Sequence, residues 1–267
     1  MKNMKDVQAQ IDKRNIDIQK VGVKDVEIPL EIQRKLKNGK TDSQKVYAKA
    51  KMSVSLNRQF KGTHMSRFIE ILNDYRKKNL VGVDIKKMLF DMKEKLNAEN
   101  AYIKFDFKYF IKKSAPKSGP EALMCYDCYF EGTLSEDNDY TFFLGAKVPV
   151  TTLCPCSKEI SNYGAHNQRA IVKVKISYPE DKHIWLEDLI KTVEESGSSE
   201  VYSLLKREDE KAVTERAFEN PKFVEDVLRD IVLKLEKNEI INFFEVEIEA
   251  HESIHNHNAW AYQKTLK

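Results

Sequence analysis

Long apolar runs are missing from this 267-residue sequence. No window approaches the roughly 18 apolar residues of a membrane span, and the opening MKNMKDVQAQIDKRN lacks the apolar core of a signal peptide. A one-signed charge excess is missing too, because 45 basic and 42 acidic side chains leave a formal charge of +3. We therefore expect a soluble, cytoplasmic protein with no membrane partner and no basic stripe for nucleic acid.

Cysteine is scarce, with four residues in two close pairs, Cys125 with Cys128 and Cys154 with Cys156. In a reducing compartment such clusters are more often metal ligands, reactive thiols or buried fillers than disulfides. Cys125 and Cys128 form a C-x-x-C, but a second C-x-x-C at zinc-ribbon spacing is absent. Residues three apart on a strand point to opposite faces, so we interpret this pair as structural.

Two periodicities run through the 41% of residues that are hydrophobic. Alternation of apolar and polar residues predicts half-buried strands at 46–56, 101–111, 123–134, 140–151, 170–178, 243–252 and 259–266. Apolar residues at helical spacing predict helices at 63–78, from Asp84 to Leu96, at 184–196 and at 223–238. Residues 1–44 lack sustained periodicity and are interpreted as an N-terminal arm.

The two halves of the chain share a similar order of strands and helices, without a repeat at the level of residues. This order predicts a duplicated α+β unit, with antiparallel sheet and paired helices on one face. The predicted domains are the arm (1–44), a first unit (45–136) and a second unit (137–267) that carries a metal site.

The stretch TTLCPCSKEISNYGAHNQR, residues 151–169, concentrates reactive side chains. Thiolate and imidazole ligands suit zinc or similar ions, and Cys154 and His166 converge if the loop between them folds back. Pro155 fixes the backbone between two thiols that share one side of an extended chain, so Cys154 and Cys156 are expected to face one pocket. Two buried small residues beside a turn remain the structural alternative.

A second cluster, HESIHNHNAW, holds His251, His255 and His257, half of the six histidines. Such a cluster favours metal binding or proton transfer, although His251, at the end of a predicted strand, suits a structural role equally well. His64 and His183 stand alone and are interpreted as surface or capping residues.

Between these clusters, residues 197–221 are rich in charge and poor in apolar periodicity, which is typical of a solvated loop or an exposed helix. Basic side chains are what a triphosphate requires. Charge and proximity in sequence select Lys158, Arg169, Lys206 and Arg207 for this role. A glutamate among them suits the N–H edge of guanine, since a carboxylate accepts paired hydrogen bonds.

Four motifs together carry a family resemblance: LCPCSKEISNYGAHNQR, KGTHMSRF, LLKREDEKAVTERAFENPKFVED and ESIHNHNAWA. With them the chain closely resembles the type IB GTP cyclohydrolase I family of prokaryotes, from about residue 5 to the C-terminus. The resemblance implies a bimodular tunnelling fold of two T-fold units. It also implies a homotetramer with active sites at subunit contacts.

The activity that the resemblance implies is the hydrolytic opening of the purine ring of GTP at C8. The products are 7,8-dihydroneopterin triphosphate and formate, in the first step of tetrahydrofolate biosynthesis and, in many bacteria, of queuosine biosynthesis. One divalent metal ion per active site is implied, and mixed ligation by sulfur, nitrogen and oxygen suits zinc, manganese or iron.

Residue by residue, the resemblance implies that Cys154, His166 and Glu200 are metal ligands, completed by one histidine of the H-N-H pair. We choose His255 as that ligand and assign proton transfer to His257. Cys156 is then a catalytic thiol near the metal, beside the catalytic ligand Cys154, and Glu215 is the anchor for guanine.

Two rival functions are compatible with the same residues. A related T-fold enzyme acting on another pterin or deazapurine, such as a nitrile reductase, would use a lone nucleophilic cysteine and a nicotinamide cofactor. A non-catalytic binding module would hold a structural zinc with four ligands, which leaves no open position for water.

Overall fold

The computed structural model describes residues 7–8, 10–76, 79–80 and 82–267. Residues 1–6 and 9 of the predicted arm, and 77–78 of the first predicted helix, lie outside this range. The strands of the described residues are β1 (Ile18–Lys35), β2 (Thr41–Leu56), β3 (Asn79–Leu80), β4 (Ala101–Ser114), β5 (Glu121–Leu134), β6 (Tyr140–Leu153), β7 (Asn167–Ser177), β8 (Ser199–Glu200), β9 (Phe243–Ala250) and β10 (Ala259–Leu266). The helices are α1 (Met65–Tyr75), α2 (Gly82–Leu96), α3 (Pro155–Ile160), α4 (Leu186–Glu194), α5 (Arg207–Glu219) and α6 (Val224–Lys237).

The first of two compact units comprises residues up to Phe107 and Tyr129–Phe143. Its strands are ordered β3-β1-β2-β4-β5-β6, with β2 antiparallel to both β1 and β4. Every second residue of β2 from Val46 to Leu56 is buried. Helix α2 approaches β5 so closely that a Cβ at Gly132 would lie 2.6 Å from Ile85 Cγ2, which explains why glycine occupies this strand position.

The second unit comprises Lys108–Cys128 and Leu144–Lys267. Its strands are ordered β10-β9-β7-β6-β5-β4, and β8 pairs with β6. Strand β9 lies between β7 and β10, antiparallel to both, and alternate residues from Phe244 to Ala250 are fully buried. The apolar stripes of α4 and α6 are buried, as expected of amphipathic helices.

A buried ionic cluster lies in the second unit. The Lys113 ammonium is 2.7 Å from Glu194 Oε1 and 2.7 Å from Glu200 Oε2, and the Tyr126 hydroxyl donates a hydrogen bond to Glu194 at 2.7 Å. Burial raises the pKa of Glu194, and the neighbouring Lys113 partly opposes that rise. The positive and negative charges of this cluster therefore stabilise one another, and loss of one would leave the others buried without a partner.

The α+β class predicted from the sequence is confirmed, and each predicted strand and helix has a counterpart. Within residues 1–44, interpreted from the sequence as an N-terminal arm, the structure has a strand that the sequence did not predict, β1 from Ile18 to Lys35. Residues 197–221 contain the largely exposed helix α5, one of the two alternatives for this segment. No helix in the described part of the chain is long and apolar enough to cross a membrane.

The predicted boundary at residue 136 between the two repeated units stays a prediction. It falls between β5 and β6, whereas the compact units divide within β4, β5 and β6.

Candidate functional site

A cavity of about 440 Å³ in the second unit collects three of the four expected metal ligands together with His257, the histidine expected to transfer protons. Its potential metal ligands are Cys154, His166, Glu225, Glu252, His255 and His257. Thr152, Gln168, Lys222 and Trp260 also line it. The two sequence clusters, 151–169 and 251–260, therefore form one site within this unit although they are distant in sequence.

Cys154 is held in place by the start of α3. Its Sγ accepts a hydrogen bond from the backbone N–H of Ser157 at 3.4 Å, as the N-cap of the helix. Pro155 occupies the first helical turn, where its missing N–H is not needed. The Cys154 N–H donates to the His166 carbonyl at 3.1 Å, so the intervening loop folds back as the sequence predicts.

The His166 ring is oriented by a hydrogen-bond network. The amide nitrogen of Gln168 lies 3.1 Å from Thr152 Oγ1 and 3.3 Å from Glu252 Oε1. Because a carboxylate only accepts hydrogen bonds, the amide oxygen of Gln168 faces His166 Nδ1, at 2.9 Å. We assign the proton to Nδ1 from this network, which leaves the lone pair of neutral His166 on Nε2.

The two histidines of the H-N-H pair extend this network. The ring centroids of His166 and His255 are 6.4 Å apart, nearly perpendicular, and those of His255 and His257 are 5.1 Å apart and stacked. Both His255 and His257 are exposed. His166, His255 and His257 thus form a chain of imidazoles that leads from the cavity to its surface.

A second cavity, of about 550 Å³, borders the same loop and contains Glu215 and Lys158. Ala165 and Asn167 line this second cavity, whereas His166 and Gln168 line the first. Neighbouring residues of an extended chain point to opposite sides, so one segment provides a wall for both cavities. Glu215 is exposed on α5, with its carboxylate 3.7 Å from the Lys211 ammonium.

Two of the expected site residues lie elsewhere. Glu200 does not line the first cavity; β8 pairs it with Val150, and its carboxylate is bound to Lys113. Cys156 lines neither cavity and is exposed. The expectation that Cys154 and Cys156 face one pocket is wrong, because Pro155 starts a helix, and side chains two apart on a helix diverge.

The other expected basic residues are also dispersed. Arg169, Lys206 and Arg207 are exposed and line neither cavity, so only Lys158 of the four triphosphate candidates adjoins Glu215. The Lys158 ammonium lies 4.3 Å from the centroid of the Phe218 ring.

Several polar or aromatic residues of the first cavity were not expected from the sequence, among them Gln168, Lys222, Glu252 and Trp260. Glu252 stands within the histidine cluster and Gln168 two places after His166, so the same motifs contained a signal for both. Lys222 had none. Its ammonium is bound to Asp230 at 2.7 Å and to the Ser196 carbonyl at 2.9 Å.

The donor set of the cavity fits a borderline cation in kind, since it offers a thiolate, imidazoles and a carboxylate. Within the described ranges, however, no three His, Cys, Asp or Glu side chains are already grouped closely enough to hold a metal ion. The residues are thus suited to a metal by chemistry, without a preformed three-ligand cage.

Comparisons with known proteins give consistent results along almost the whole chain. Residues 4–261 match the model of a family described as type I GTP cyclohydrolase folE2. A protein of Geotalea uraniireducens named GTP cyclohydrolase FolE2 is 56% identical over 259 residues, 97% of this chain and 92% of that protein. A protein of the same name from Geobacter metallireducens is 51% identical over 262 residues, which are 98% of this chain and 97% of that protein.

Solved structures that resemble the chain are urate oxidases. The uricase from Bacillus fastidious has a TM-score of 0.58 at 9% identity and covers 93% of both chains. Urate oxidase from Bacillus subtilis has a TM-score of 0.55 at 6% identity, covering 93% of this chain and 99% of that one. At such identities the likeness concerns the fold alone, and it confirms the predicted tunnelling fold.

Proposed function

Since the chain belongs to the FolE2 family of type I GTP cyclohydrolases, we propose that the cavity lined by Cys154 and His166 is where it opens the purine ring of GTP. The protein is a GTP cyclohydrolase I of folate biosynthesis. The observation that carries the location is the convergence of Cys154, His166, Glu252 and His255 on one cavity.

In the proposed reaction, water adds to C8 of the purine and a ring C–N bond breaks. Hydrolysis of the resulting formamide releases formate, and rearrangement of the ribose followed by ring closure builds 7,8-dihydroneopterin triphosphate. Each of these steps moves protons, so the site needs groups that accept and donate them near neutral pH. The imidazole of His257 has the appropriate chemistry.

We propose that Cys154 and His166 hold a divalent metal ion together with His255, while His257 transfers protons. A zinc-like ion bound there supplies one chemical effect, a pKa of water lowered towards neutrality. The neutral tautomer of His166 suits a ligand, because its Nε2 lone pair is free while Nδ1 donates to Gln168. The separation of 6.4 Å between the His166 and His255 rings supports His255 as the nearer partner.

The proposed roles of Glu200 as a metal ligand and of Cys156 as a thiol near the metal require these side chains to leave the positions described above. Glu200 becomes a ligand only if its carboxylate leaves Lys113, which still retains Glu194 as a partner. For Cys156, the exposed position on α3 supports a role at the rim of the site more than beside the metal.

Guanine is proposed to bind in the second cavity, with its N–H edge on the Glu215 carboxylate. Lys158 in the same cavity supplies positive charge for a phosphate. The wall that the two cavities share supports this proposal, because guanine bound there would lie next to the cavity proposed for the chemistry at C8. Arg169, Lys206 and Arg207, exposed outside both cavities, are proposed as outer contacts of the triphosphate.

Replacing Glu215 by alanine is expected to raise the KM for GTP about 10- to 100-fold, because hydrogen bonds to a charged group contribute about 1.5–3 kcal/mol. The metal content should remain normal. Steady-state kinetics measure the change: the dihydroneopterin product is oxidised, and the fluorescence of the resulting neopterin is recorded. Glu219→Ala, one turn further along α5 in the same cavity, is the matched control. Metal loss in Glu215→Ala would make Glu215 a ligand instead.

Replacing Gln168 by leucine is expected to weaken metal binding about 10- to 100-fold, which is the usual cost of losing the partner that orients a ligating histidine. The affinity is measured by zinc titration against a competing chelator. Asn167→Leu is the control, since this neighbour lines the other cavity. Equal affinities for Gln168→Leu and the unmodified protein would remove Gln168 from this role.

A cytoplasmic homotetramer is also proposed. All four cysteines are free thiols, which suits a reducing compartment. The edge strand β10 of the second unit exposes Trp260, Tyr262 and Leu266, and an exposed apolar edge favours association with another chain. A monomer in sedimentation velocity experiments would contradict the tetramer.

A further inference from the structure

The first unit contains a cavity of about 600 Å³ that the proposed cyclohydrolase chemistry does not use. It lies where β1 and β4 begin and β2 and β5 end, and a volume of this size suits a small molecule. Its apolar lining includes Val54, Leu56 and Leu134, and polar side chains surround that lining.

Ser53 is an unusual member of this lining. The residue is only 5% exposed, and its Oγ has no hydrogen-bond partner among the described residues. The neighbouring strand covers it closely: a Cβ at Gly22, its partner on β1, would lie 2.6 Å from the Ser53 Cα. The Ser53 hydroxyl therefore lies behind the wall of the cavity, where an occupant does not reach it.

The Tyr102 ring stands beside Ser53, because the two residues are paired across β4 and β2. A β-bulge in β1 sets Gln19 and Lys20 opposite the single residue Ser55, and bulges typically redirect side chains near binding sites. The Lys20 ammonium lies 4.0 Å from the centroid of the Tyr102 ring. The ring face therefore already accommodates a cation, in the geometry of a cation–π contact.

The charges of the lining favour a positive occupant. The residues that line the cavity include three acidic ones, Asp17, Glu99 and Asp139, and one basic one, Lys20. Burial, aided by Glu131 and Asp106, raises the pKa of Tyr102 to about 12, so the ring stays an uncharged phenol at neutral pH. The cavity thus combines an excess of acidic residues with an aromatic face.

From these features we propose that the cavity binds a small organic cation. Its charged head replaces the Lys20 ammonium on the face of Tyr102. The carboxylates at the rim compensate its charge. This site lies wholly in the first unit and does not depend on the location proposed for GTP hydrolysis.

Isothermal titration calorimetry of the full-length protein with agmatine, a guanidinium probe, tests the proposal. We expect one molecule bound per chain, about tenfold weaker binding for Tyr102→Leu, and about fivefold tighter binding for Lys20→Met, which frees the ring face. Lys51→Met is the matched control, because the Lys51 ammonium is 5.8 Å from the same ring centroid but does not line the cavity. Its affinity should be unchanged.

Butylurea, which has a similar carbon chain but neither the guanidinium nor the ammonium of agmatine, is neutral and should bind at least tenfold more weakly. Equal binding of the two probes would overturn the proposal. So would an absence of binding to both the unmodified protein and Lys20→Met, or affinities that neither Tyr102→Leu nor Lys20→Met changes. Because Lys20 is exposed, the Lys20→Met result does not depend on a variant that folds poorly.

Discussion

Cys154→Ala is expected to lower the turnover of GTP about a thousandfold and to abolish stoichiometric metal binding. The thiolate is the softest ligand in the cavity, and the activation of water by a metal contributes several kcal/mol, each 1.4 kcal/mol being a factor of ten in rate. The substitution also removes the N-cap of α3, at a cost of about 1 kcal/mol. Single-turnover kinetics and metal analysis of the purified variant measure both effects.

Two further variants separate these contributions. Cys154→Ser keeps an acceptor for the Ser157 N–H but loses the thiolate, so it should remain as inactive as Cys154→Ala. Cys125→Ser, which changes an exposed thiol of the other pair, should retain full turnover. A fully active Cys154→Ala protein would remove the metal site from this cavity.

Lys113→Met is expected to destabilise the folded protein by about 3–5 kcal/mol, because it leaves Glu194 and Glu200 without their shared cation. The Lys113 and Glu194 side chains are only 12% and 10% exposed, so water does not replace the lost partner. Chemical denaturation gives the free energy of unfolding. Lys112→Met, at the exposed neighbouring position, should change it by less than about 0.5 kcal/mol.

The loss in Lys113→Met should depend on pH in a defined direction. The pKa of Glu194 is already raised by burial, and removal of Lys113 raises it further. Between its unfolded and its raised folded pKa, the folded state then binds more protons, so stability falls as pH rises. The loss is therefore smaller near about pH 5 than near about pH 8. Lys113→Met combined with Glu194→Gln should recover part of it, and a pH-independent loss would contradict this account.

The sequence predicted those elements in which burial imposes a clear period. Strands β2 and β9 alternate because one face of each is buried, and α4 and α6 show apolar stripes for the same reason. The first half of β1 is largely exposed and its pairing shifts register between Ile18 and Val26, so no period marks it. Helix α3 has six residues, none of them buried, and leaves no pattern to detect.

The site was predictable where its residues share a motif and unpredictable where it depends on pairing between strands. The loop that brings Cys154 to His166 lies within one stretch of sequence, and a single backbone hydrogen bond joins its ends. The position of Glu200 is set instead by the pairing of β8 with β6 and by Lys113 on β4. Those partners are distant in sequence, and charge composition does not reveal them.

The alternation of Ala165, His166, Asn167 and Gln168 between two cavities limits how this gene can change in length. Strand β7 is fixed to β9 from Ala170 onwards, so one inserted codon between His166 and Ala170 would reverse every side chain before it. His166 would then face the cavity of Glu215, and Asn167 would take its place. Insertions between α3 and Gly164 avoid this reversal, because the exposed loop there absorbs added length without rotating the strand.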